Sequence, residues 1–351
     1  MRYGLFFFAS DARGADSDYR LLLEAARFAD EHDFTAVWTP ERHFDRFGGM
    51  FPDPSLTSAA LAVTTSRVAI RAGSVVSPLH DPIRLAEAWS VVDNLSGGRV
   101  GVSFASGWNP NDFALNPDVY QSRQQLMLDQ IETVRRLWSG EAIVRRCGTG
   151  GEIEVRTFPR PVQETLPLWL TSAGRIETFV NAGSLGANVL THLASHSLDE
   201  LAEKIEAYRA ARETAGHDPA TANVTLMLHT FLDEDGETAR EQASPHLREY
   251  LRAALELELR GDSARGDHAP VAPAVVEQML DVATRRYLDG SCLIGSPESM
   301  QPLIERLAGI GIDEIACFVD FGLPTDVVLE GLPLIVELAA ATRTTESRSS
   351  R

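Results

Sequence analysis

Short runs of apolar residues alternate with longer amphipathic segments along almost the whole chain. The short runs have the length of buried strands, whereas the longer segments repeat apolar residues at the spacing of a helix. Strands and helices in regular alternation are typical of a parallel sheet whose strands are joined by crossover helices. The pattern predicts eight strands, at residues 3–9, 34–39, 68–76, 100–105, 168–171, 188–191, 224–232 and 314–320.

The predicted helices lie between these strands, at residues 19–32, 54–65, 82–95, 120–137, 177–183, 198–215, 236–259, 274–287, 297–307 and 325–341. The alternation breaks at about residues 141–166, where Gly and Pro cluster, and then resumes. This segment is predicted to be an insertion or a lid within a single domain of residues 1–341. The composition of residues 261–273 predicts a mobile loop that could gate a site. A disordered tail is predicted at residues 342–351.

Eight strands could close into a barrel or spread into a doubly wound open sheet, and the loops discriminate between the two. The loop after the first strand, ASDARGAD, lacks the glycines that let a dinucleotide pyrophosphate approach the backbone. In a barrel the site lies at the carboxyl ends of the strands, where polar residues are concentrated in this sequence. We therefore predict an α/β fold, a (β/α)₈ TIM barrel with insertions.

The balance of charges narrows the classes of partner. The chain has 32 basic and 50 acidic residues, a formal net charge of −18, which repels nucleic acid and anionic lipid. No stretch approaches the roughly 20 apolar residues of a membrane span. Its three cysteines form no CxxC motif, and one must stay unpaired in any disulfide scheme. We expect a cytoplasmic protein without nucleic acid or membrane partners.

Candidate site residues lie directly after the second predicted strand and within the apolar run of the third predicted strand. The segment TPERHF places Glu41 and His43 two residues apart at the predicted rim, although a solvated loop explains the same pattern. In AGSVVSP, Gly73 and Ser74 interrupt an apolar run. Glycine permits backbone conformations that other residues resist, so this break indicates either a shaped site or a simple bulge.

The next three strand ends offer candidates for binding. The segment ASGWNPND is typical of a binding loop with an aromatic wall formed by Trp108, followed by Asn109, although Trp108 could instead be a core aromatic residue. The segment TSAGRIETF exposes backbone N–H groups at a helix start, and such a terminus binds phosphate with Arg175 adding charge. His192 follows the sixth strand, where a role in capping competes with a role in the site.

The remaining histidines and the common catalytic motifs identify no further candidate site. His80 and His229 carry weaker signals and are assigned structural roles by default. The chain contains no HExxH, no CxxC pair and no acidic calcium loop, so a metal is not indicated. It also contains no GxSxG, the nucleophile turn of many hydrolases.

Three blocks, FTAVWTPERHF, AGSVVSPLHDPIRLAEAWSVVDNLSGGRVGVSFASGWNP and PLWLTSAGRIETFVNAGSLGANVLTH, resemble the bacterial luciferase-like flavin monooxygenase family. The resemblance covers about residues 2–340 and is greatest for the natural-product subgroup found with nonribosomal peptide and polyketide assembly lines. It implies that Glu41 and His43 lie near the reacting edge of the flavin. It also implies a cis peptide at Gly73–Ser74 that shapes the bed for the isoalloxazine ring.

The same resemblance implies roles for the remaining site residues in binding phosphate and substrate. Phosphate contacts fall on Ser172, Ala173 and Gly174, beside Arg175, and the substrate side falls on Trp108, Asn109 and His192. The reactive cysteine and the phosphate-contacting arginine that luciferase has after its fourth strand are Ala105 and Ser106 here. Light emission is therefore not expected, and Ser106 replaces the arginine as the cofactor-binding candidate at that position.

By resemblance the protein is a two-component monooxygenase. A separate reductase supplies reduced FMN as a cosubstrate, and O₂ then serves to hydroxylate a small or carrier-protein-tethered substrate. The family also implies a homodimer, formed through the helices beside strands two and three. Two alternatives remain: a deazaflavin-dependent hydride transferase on the same barrel, which consumes no oxygen, and a barrel that binds flavin without turnover. An acidic carrier protein would require a local basic patch, for which Arg135–Arg136 and Arg145–Arg146 are candidates.

Overall fold

Eight parallel strands close into a barrel in the computed structural model, which describes residues 1–8, 19–194, 196–265 and 272–349. The barrel strands are β1 (Arg2–Phe6), β2 (Ala36–Thr39), β3 (Ala69–Val76), β4 (Val100–Ala105), β7 (Leu168–Ser172), β8 (Asn188–His192), β9 (Val224–Leu232) and β11 (Glu314–Phe318). Strand β8 pairs with β9, β9 with β11, and β11 with β1, so the sheet has no free edge. The predicted TIM barrel is confirmed.

Helices cover the outside of the barrel and follow the strands as predicted. They are α1 (Arg20–Glu31), α2 (Pro54–Thr64), α3 (Pro82–Ser96), α4 (Arg123–Ser139), α5 (Ile176–Ser184), α6 (Leu198–Thr214), α7 (Gly236–Arg265), α8 (Pro273–Leu288), α9 (Pro297–Gly309) and α10 (Thr325–Ser349). Helices α2 and α3 begin with proline after an aspartate whose carboxylate accepts a hydrogen bond from the first turn. Proline tolerates this position because the first N–H groups of a helix have no partner within the helix. None of the described helices is both long and apolar enough to span a membrane.

Three short strands were not predicted. The insertion contains an antiparallel hairpin of β5 (Ile143–Arg146) and β6 (Glu152–Val155), and β10 (Leu293–Gly295) pairs with β9 outside the closed barrel. Runs of three or four residues are too short to display the alternation on which the sequence prediction depends.

Two segments that were predicted to lack regular structure are partly helical, and the first strand is shorter than expected. Helix α7 includes residues 261–265 of the predicted mobile loop, whereas residues 266–271 lie outside the described residues. A single glycine costs a helix only about 1 kcal/mol, so Gly261 does not end α7. Helix α10 continues to Ser349, through most of the predicted tail, because residues 342–349 contain neither glycine nor proline. Strand β1 ends at Phe6, and residue 9 lies outside the described residues.

A buried ion pair lies inside the barrel. Arg71 of β3 donates from Nη1 to Oε1 of Glu314 of β11 at 2.8 Å, and the Glu314 side chain is fully buried. The Arg71 guanidinium carbon lies 4.9 Å and 4.5 Å from the ring centroids of Trp38 and Trp169. Such distances permit cation–π attraction, so Arg71 is held by a carboxylate and by two indole faces.

Candidate active site

The carboxyl ends of the eight parallel strands meet at one end of the barrel, which we call the mouth. The predicted site residues in or after these strand ends are Glu41, His43, Gly73, Ser74, Ser106, Trp108, Asn109, Ser172, Ala173, Gly174, Arg175 and His192. They come from five adjacent barrel strands, from β2 round to β8. The closed barrel therefore brings to one surface residues that are up to 151 positions apart in the sequence.

Glu41 is the centre of a buried hydrogen-bond cluster at the mouth. Its Oε1 accepts hydrogen bonds from Nε2 of His43 at 2.9 Å and Nε2 of His80 at 2.7 Å, and its Oε2 accepts from the Val76 N–H at 2.8 Å. Burial alone would raise the pKa of Glu41, but these hydrogen bonds and the charge of His80 outweigh burial and lower the pKa. Glu41 is therefore a carboxylate whose side chain is fully buried. Through its three hydrogen bonds it holds His43, His80 and the Val76 N–H in place, and a catalytic role for Glu41 stays a prediction.

His80, which the sequence assigned a structural role by default, is part of this cluster. Burial by itself would lower the pKa of His80, but the hydrogen bond and charge of Glu41 raise it above its ordinary value. His43 makes the same contact, from Nε2 to Glu41, and its side chain is 12% exposed, compared with 27% for His80. A neutral imidazole that donates from Nε2 carries its lone pair on Nδ1, where it can accept a proton.

The end of β3 carries the predicted irregularity. The Gly73–Ser74 peptide bond is cis, and the pairing of β3 with β4 shifts register between Gly73 and Val75. A side chain at Gly73 would meet the ring of Phe6 at 2.7 Å, so only glycine fits against the barrel interior at this point. The hydroxyl of Ser74 hydrogen-bonds to that of Thr171 across the mouth. Because Glu41 accepts from Val76, the buried carboxylate also secures this bulge.

The residues predicted to bind phosphate lie directly after β4 and at the β7–α5 junction. They are Ser106 and Ser172–Arg175, and we call this group the phosphate corner. Phe104 of β4 pairs with Leu170 of β7, and Ser106 and Ser172 each lie two residues beyond that pair. The Ser172 hydroxyl accepts from the Gly174 N–H at 3.2 Å, and Gly174 adopts φ +115°. Ala173 and Arg175 are exposed beside the helix N-terminus, whose first N–H groups have no partner within the helix.

Glu177 modifies the charge of this corner. Its carboxylate lies 3.5 Å from the guanidinium of Arg175. Its own backbone N–H, together with Arg175, keeps its pKa below the ordinary value, against a small effect of burial. The side chains of Arg175 and Glu177 are 61% and 65% exposed, so solvent weakens this ion pair.

The loop after β4 is held together by Asn109. Its Oδ1 accepts from the Asn111 N–H at 3.2 Å, and its Nδ2 donates to Oδ1 of Asp112 at 2.7 Å. Asn109 is 1% exposed, so the structure gives it a role in shaping the loop, and contact with substrate stays a prediction. Trp108, in contrast, is 47% exposed, and its role as an aromatic wall of the site stays a prediction.

Arg42 lies between Glu41 and His43 in sequence but points to a different environment. Its guanidinium carbon is 5.0 Å from the ring centroid of Trp108 and 5.7 Å from that of Phe8, and Nη1 is 3.6 Å from Oδ2 of Asp112. Burial lowers the pKa of Arg42 from its ordinary value, partly offset by the charge of Asp112. Burial also raises the pKa of Asp112, against the opposing effect of Arg42.

Neutral histidines and aromatic rings line the opposite wall of the mouth. Burial lowers the pKa of His192 to about 4 and that of His229 to about 3, and burial with nearby cations lowers that of His196 to about 4. These imidazoles are uncharged at neutral pH, and His229 lies 4.5 Å from the ring of Tyr250 of α7. Burial raises the pKa of Tyr250 well above its ordinary value, so its hydroxyl remains a donor. This wall is therefore apolar but contains hydrogen-bonding groups, which is typical of ligand pockets.

The sequence model of the luciferase-like monooxygenases matches residues 1–314 of the chain. The chain belongs to this family. The oxygenase component of the flavin-dependent trigonelline monooxygenase of Acinetobacter baylyi is 25% identical over 334 residues, which cover 92% of this chain and 90% of that protein.

Solved structures support the same assignment. The monooxygenase RslO1 from Streptomyces bottropensis superposes with a TM-score of 0.77 at 26% identity and covers 96% of this chain and 98% of that one. An F420-dependent secondary alcohol dehydrogenase superposes with a TM-score of 0.70 at 20% identity, covering 95% and 98%, which is a likeness of fold alone. The chain is thus an enzyme of the flavin-dependent, luciferase-like monooxygenase type.

Several residues at the mouth of this luciferase-like monooxygenase were not singled out from the sequence. They are Arg42, Asp112, His196 and Tyr250, and His80 and His229 were underestimated. Arg42 could have been noticed because it stands between two selected residues, but a charged residue in a loop usually faces solvent. Tyr250 carried no signal, because it lies within a long helix and its contact with His229 depends on the tertiary fold.

Proposed function

We propose that this monooxygenase uses reduced FMN, supplied by a separate reductase, and O₂ to hydroxylate a small or carrier-tethered substrate in natural-product biosynthesis. The observation that carries the proposal is the arrangement of the mouth. The phosphate corner lies at the ends of β4 and β7, the Glu41–His43 pair lies at the end of β2, and the bulge at Gly73–Ser74 lies between them. In this proposal the phosphate corner and His43 lie on either side of the Gly73–Ser74 bulge, where the flavin ring would bind.

The residues at the phosphate corner fit FMN. Ser106 and Ser172 offer hydroxyl groups, the start of α5 offers N–H donors, and Arg175 offers the charge that a phosphate attracts. FMN carries a single phosphate, so its binding requires no glycine-rich dinucleotide loop. When bound, reduced FMN supplies the electrons that activate O₂. The chain supplies position, shelter from water and control of a proton.

His43 is proposed to control that proton. Glu41 fixes the ring by accepting from Nε2, so Nδ1 is left as the acceptor toward the mouth. Proton transfer by a positioned histidine contributes about 10²–10⁴-fold to a reaction rate. In this proposal Glu41 acts through His43 and the bulge, Trp108 lines the substrate side, and His192 contributes an uncharged polar contact on the far wall.

A free substrate is favoured over a carrier-bound one by the state of the candidate basic patch. Arg135 donates to the Leu185 carbonyl, Arg136 donates to Glu141, and Arg145 lies 3.5 Å from Asp81. Most of this positive charge is already engaged within the chain.

The natural-product context of the proposal is supported by the similarity of the sequence blocks to that subgroup. A cytoplasmic location is proposed because the three cysteines are free, which fits a reducing compartment.

Turnover with matched cofactors tests the proposal. Purified protein is combined with FMN, a flavin reductase and NADH, and binding of reduced FMN, reduced riboflavin and reduced F420 is compared anaerobically. We expect reduced FMN to bind more tightly than oxidised FMN, and more tightly than riboflavin, which lacks the phosphate. Product with one added oxygen should form only when O₂ is present. Binding of reduced F420 with hydride transfer and no oxygen uptake would instead support the deazaflavin alternative.

The same assay locates the proton acceptor. His43→Ala should bind reduced FMN like the wild type but form product about 100-fold more slowly. His217→Ala is the matched control, because His217 is a histidine of the outer surface that contacts the Ser184 carbonyl. Product formation by His43→Ala at the native rate would refute the role of His43, and binding of flavin without turnover in every condition would support a non-catalytic barrel.

A homodimer is proposed through α2 and α3, as the family implies. Both helices present exposed apolar side chains: Leu56 and Val63 on α2 are each 68% exposed, and Val91 and Leu95 on α3 are 43% and 49% exposed. Large exposed apolar surfaces often mark interfaces. The variant Val63→Glu with Leu95→Glu should have the mass of one 38.4 kDa chain in light scattering, whereas the wild type should have twice that mass. Val282→Glu, on exposed α8, should leave the mass unchanged, and a monomeric wild type would exclude the dimer.

A further inference from the structure

Arg42 lacks the hydrogen bonds that a buried guanidinium ordinarily has. Its side chain is 3% exposed, and the distance of 3.6 Å from Nη1 to Asp112 is too long for a hydrogen bond. Neither Nε nor Nη2 has an acceptor among the residues that the structure describes. Since leaving a buried donor unpaired costs about 1–3 kcal/mol, and more for a charged group, these two N–H groups indicate a missing partner.

The unpaired atoms define the shape of that partner. In arginine, Nε and Nη2 lie on the same edge of the planar group, and their N–H bonds run parallel. Two parallel donors match the two oxygens of a carboxylate, which arginine binds in a bidentate manner and lysine does not. Asp112 approaches the other side, at Nη1, and its Oδ1 is already bonded to Asn109. The Nε–Nη2 edge is therefore buried and has no anion beside it among the described residues.

The surroundings of Arg42 indicate what the rest of the ligand is like. The rings of Phe8 and Trp108 flank the guanidinium, and Phe8 lies 6.5 Å from the ring of Tyr250. Phe47 continues the same apolar wall, 5.0 Å from Tyr250. An apolar or aromatic body would replace water along these rings, while a charged head would meet the guanidinium.

We propose that Arg42 binds a carboxylate of the substrate, so that this enzyme acts on a small acid whose apolar or aromatic body lies among Phe8, Trp108 and Tyr250. This inference rests on the proposed function for its meaning, but the binding step can be measured without turnover. We assign the flavin phosphate elsewhere, to the phosphate corner on β4 and β7, and β3 separates β4 from β2. A carboxylate at Arg42 would point the body of the substrate toward the floor between the two sites.

Calorimetric titration with matched probes tests this assignment. Benzoate and phenylacetate are compared with benzamide and phenylacetamide, which keep the shape but lack the charge. The wild type should bind each acid at least tenfold more tightly than its amide. Arg42→Met should lose that preference, and Arg42→Lys should retain only part of it because a point charge cannot make the paired contact. Arg84→Met, at a side chain that is 76% exposed, is the matched control and should behave like the wild type.

The outcomes separate this inference from the proposed function. Equal binding of acids and amides by the wild type, or a full preference retained by Arg42→Met with a native circular dichroism spectrum, would overturn the role of Arg42. Reduced FMN should bind equally to the wild type and to Arg42→Lys. If the acids are preferred but no reduced flavin binds, the proposed function fails while the carboxylate site stands. A further competition experiment uses a dicarboxylic acid, once free and once attached to a carrier protein through one of its two carboxyl groups. The form that competes more strongly identifies the source of the carboxylate.

Discussion

Glu41→Ala is expected to reduce turnover by about 100-fold or more and to lower the free energy of unfolding by about 3 kcal/mol. Three groups lose their acceptor at once: the imidazoles of His43 and His80 and the N–H of Val76. Buried donors left without partners are costly, and the released His43 ring no longer points Nδ1 at the substrate. Turnover and urea denaturation measure the two effects. Glu87→Gln, at a surface pair with Arg84, is the matched control and should change neither.

Glu41→Gln separates geometry from charge through its dependence on pH. The lowered pKa of Glu41 means that its contribution to stability is present above its unfolded value near 4.5 and is lost as pH falls through the folded value. The raised pKa of His80 means that its contribution is present below its unfolded value near 6.5 and is lost as pH rises through the folded value. The stability difference between wild type and Glu41→Gln should thus be greatest between about pH 4.5 and 6.5. A difference that does not vary with pH would show that the charge of Glu41 contributes nothing.

The barrel could be predicted from the sequence because its determinants are local and repeated. Each apolar run and each amphipathic segment carries its own period, and a closed parallel sheet satisfies eight such runs at once. Functional candidates followed from the rule that loops at the carboxyl ends of the strands form the site. The cis peptide at Gly73–Ser74 agrees with the expectation from resemblance.

The direction in which each side chain points could not be predicted, because it depends on contacts between distant segments. Nothing in the sequence indicated that both ends of the Asn109 amide bond within the loop, to Asp112 and to the N–H of Asn111. Arg42 was passed over, although the rings of Phe8 and Trp108 enclose it. Sequence spacing places a residue at the mouth, but only packing decides whether it faces the floor, the loop or solvent.

Arg71→Met and Glu314→Gln are each expected to lower the free energy of unfolding by about 3–5 kcal/mol. Each change leaves one charge inside the barrel without its partner, since Arg71 and Glu314 are joined at 2.8 Å and the carboxylate is fully buried. Oε2 of Glu314 has no hydrogen bond within the described part of the chain, so the carboxylate depends on Arg71. Urea denaturation at neutral pH measures both losses, with the circular dichroism spectrum confirming that each variant is folded.

The double variant Arg71→Met with Glu314→Met should recover most of that loss, because it removes both charges and fills the space with apolar groups of similar volume. Some loss should remain, since methionine cannot reproduce the cation–π contacts of Arg71 with Trp38 and Trp169. The matched control is Arg209→Met, which breaks a half-exposed pair with Asp313 at 3.2 Å and should cost no more than about 1 kcal/mol. Losses that simply add in the double variant would mean that the two charges are not coupled, and that aromatic packing alone holds the centre of the barrel.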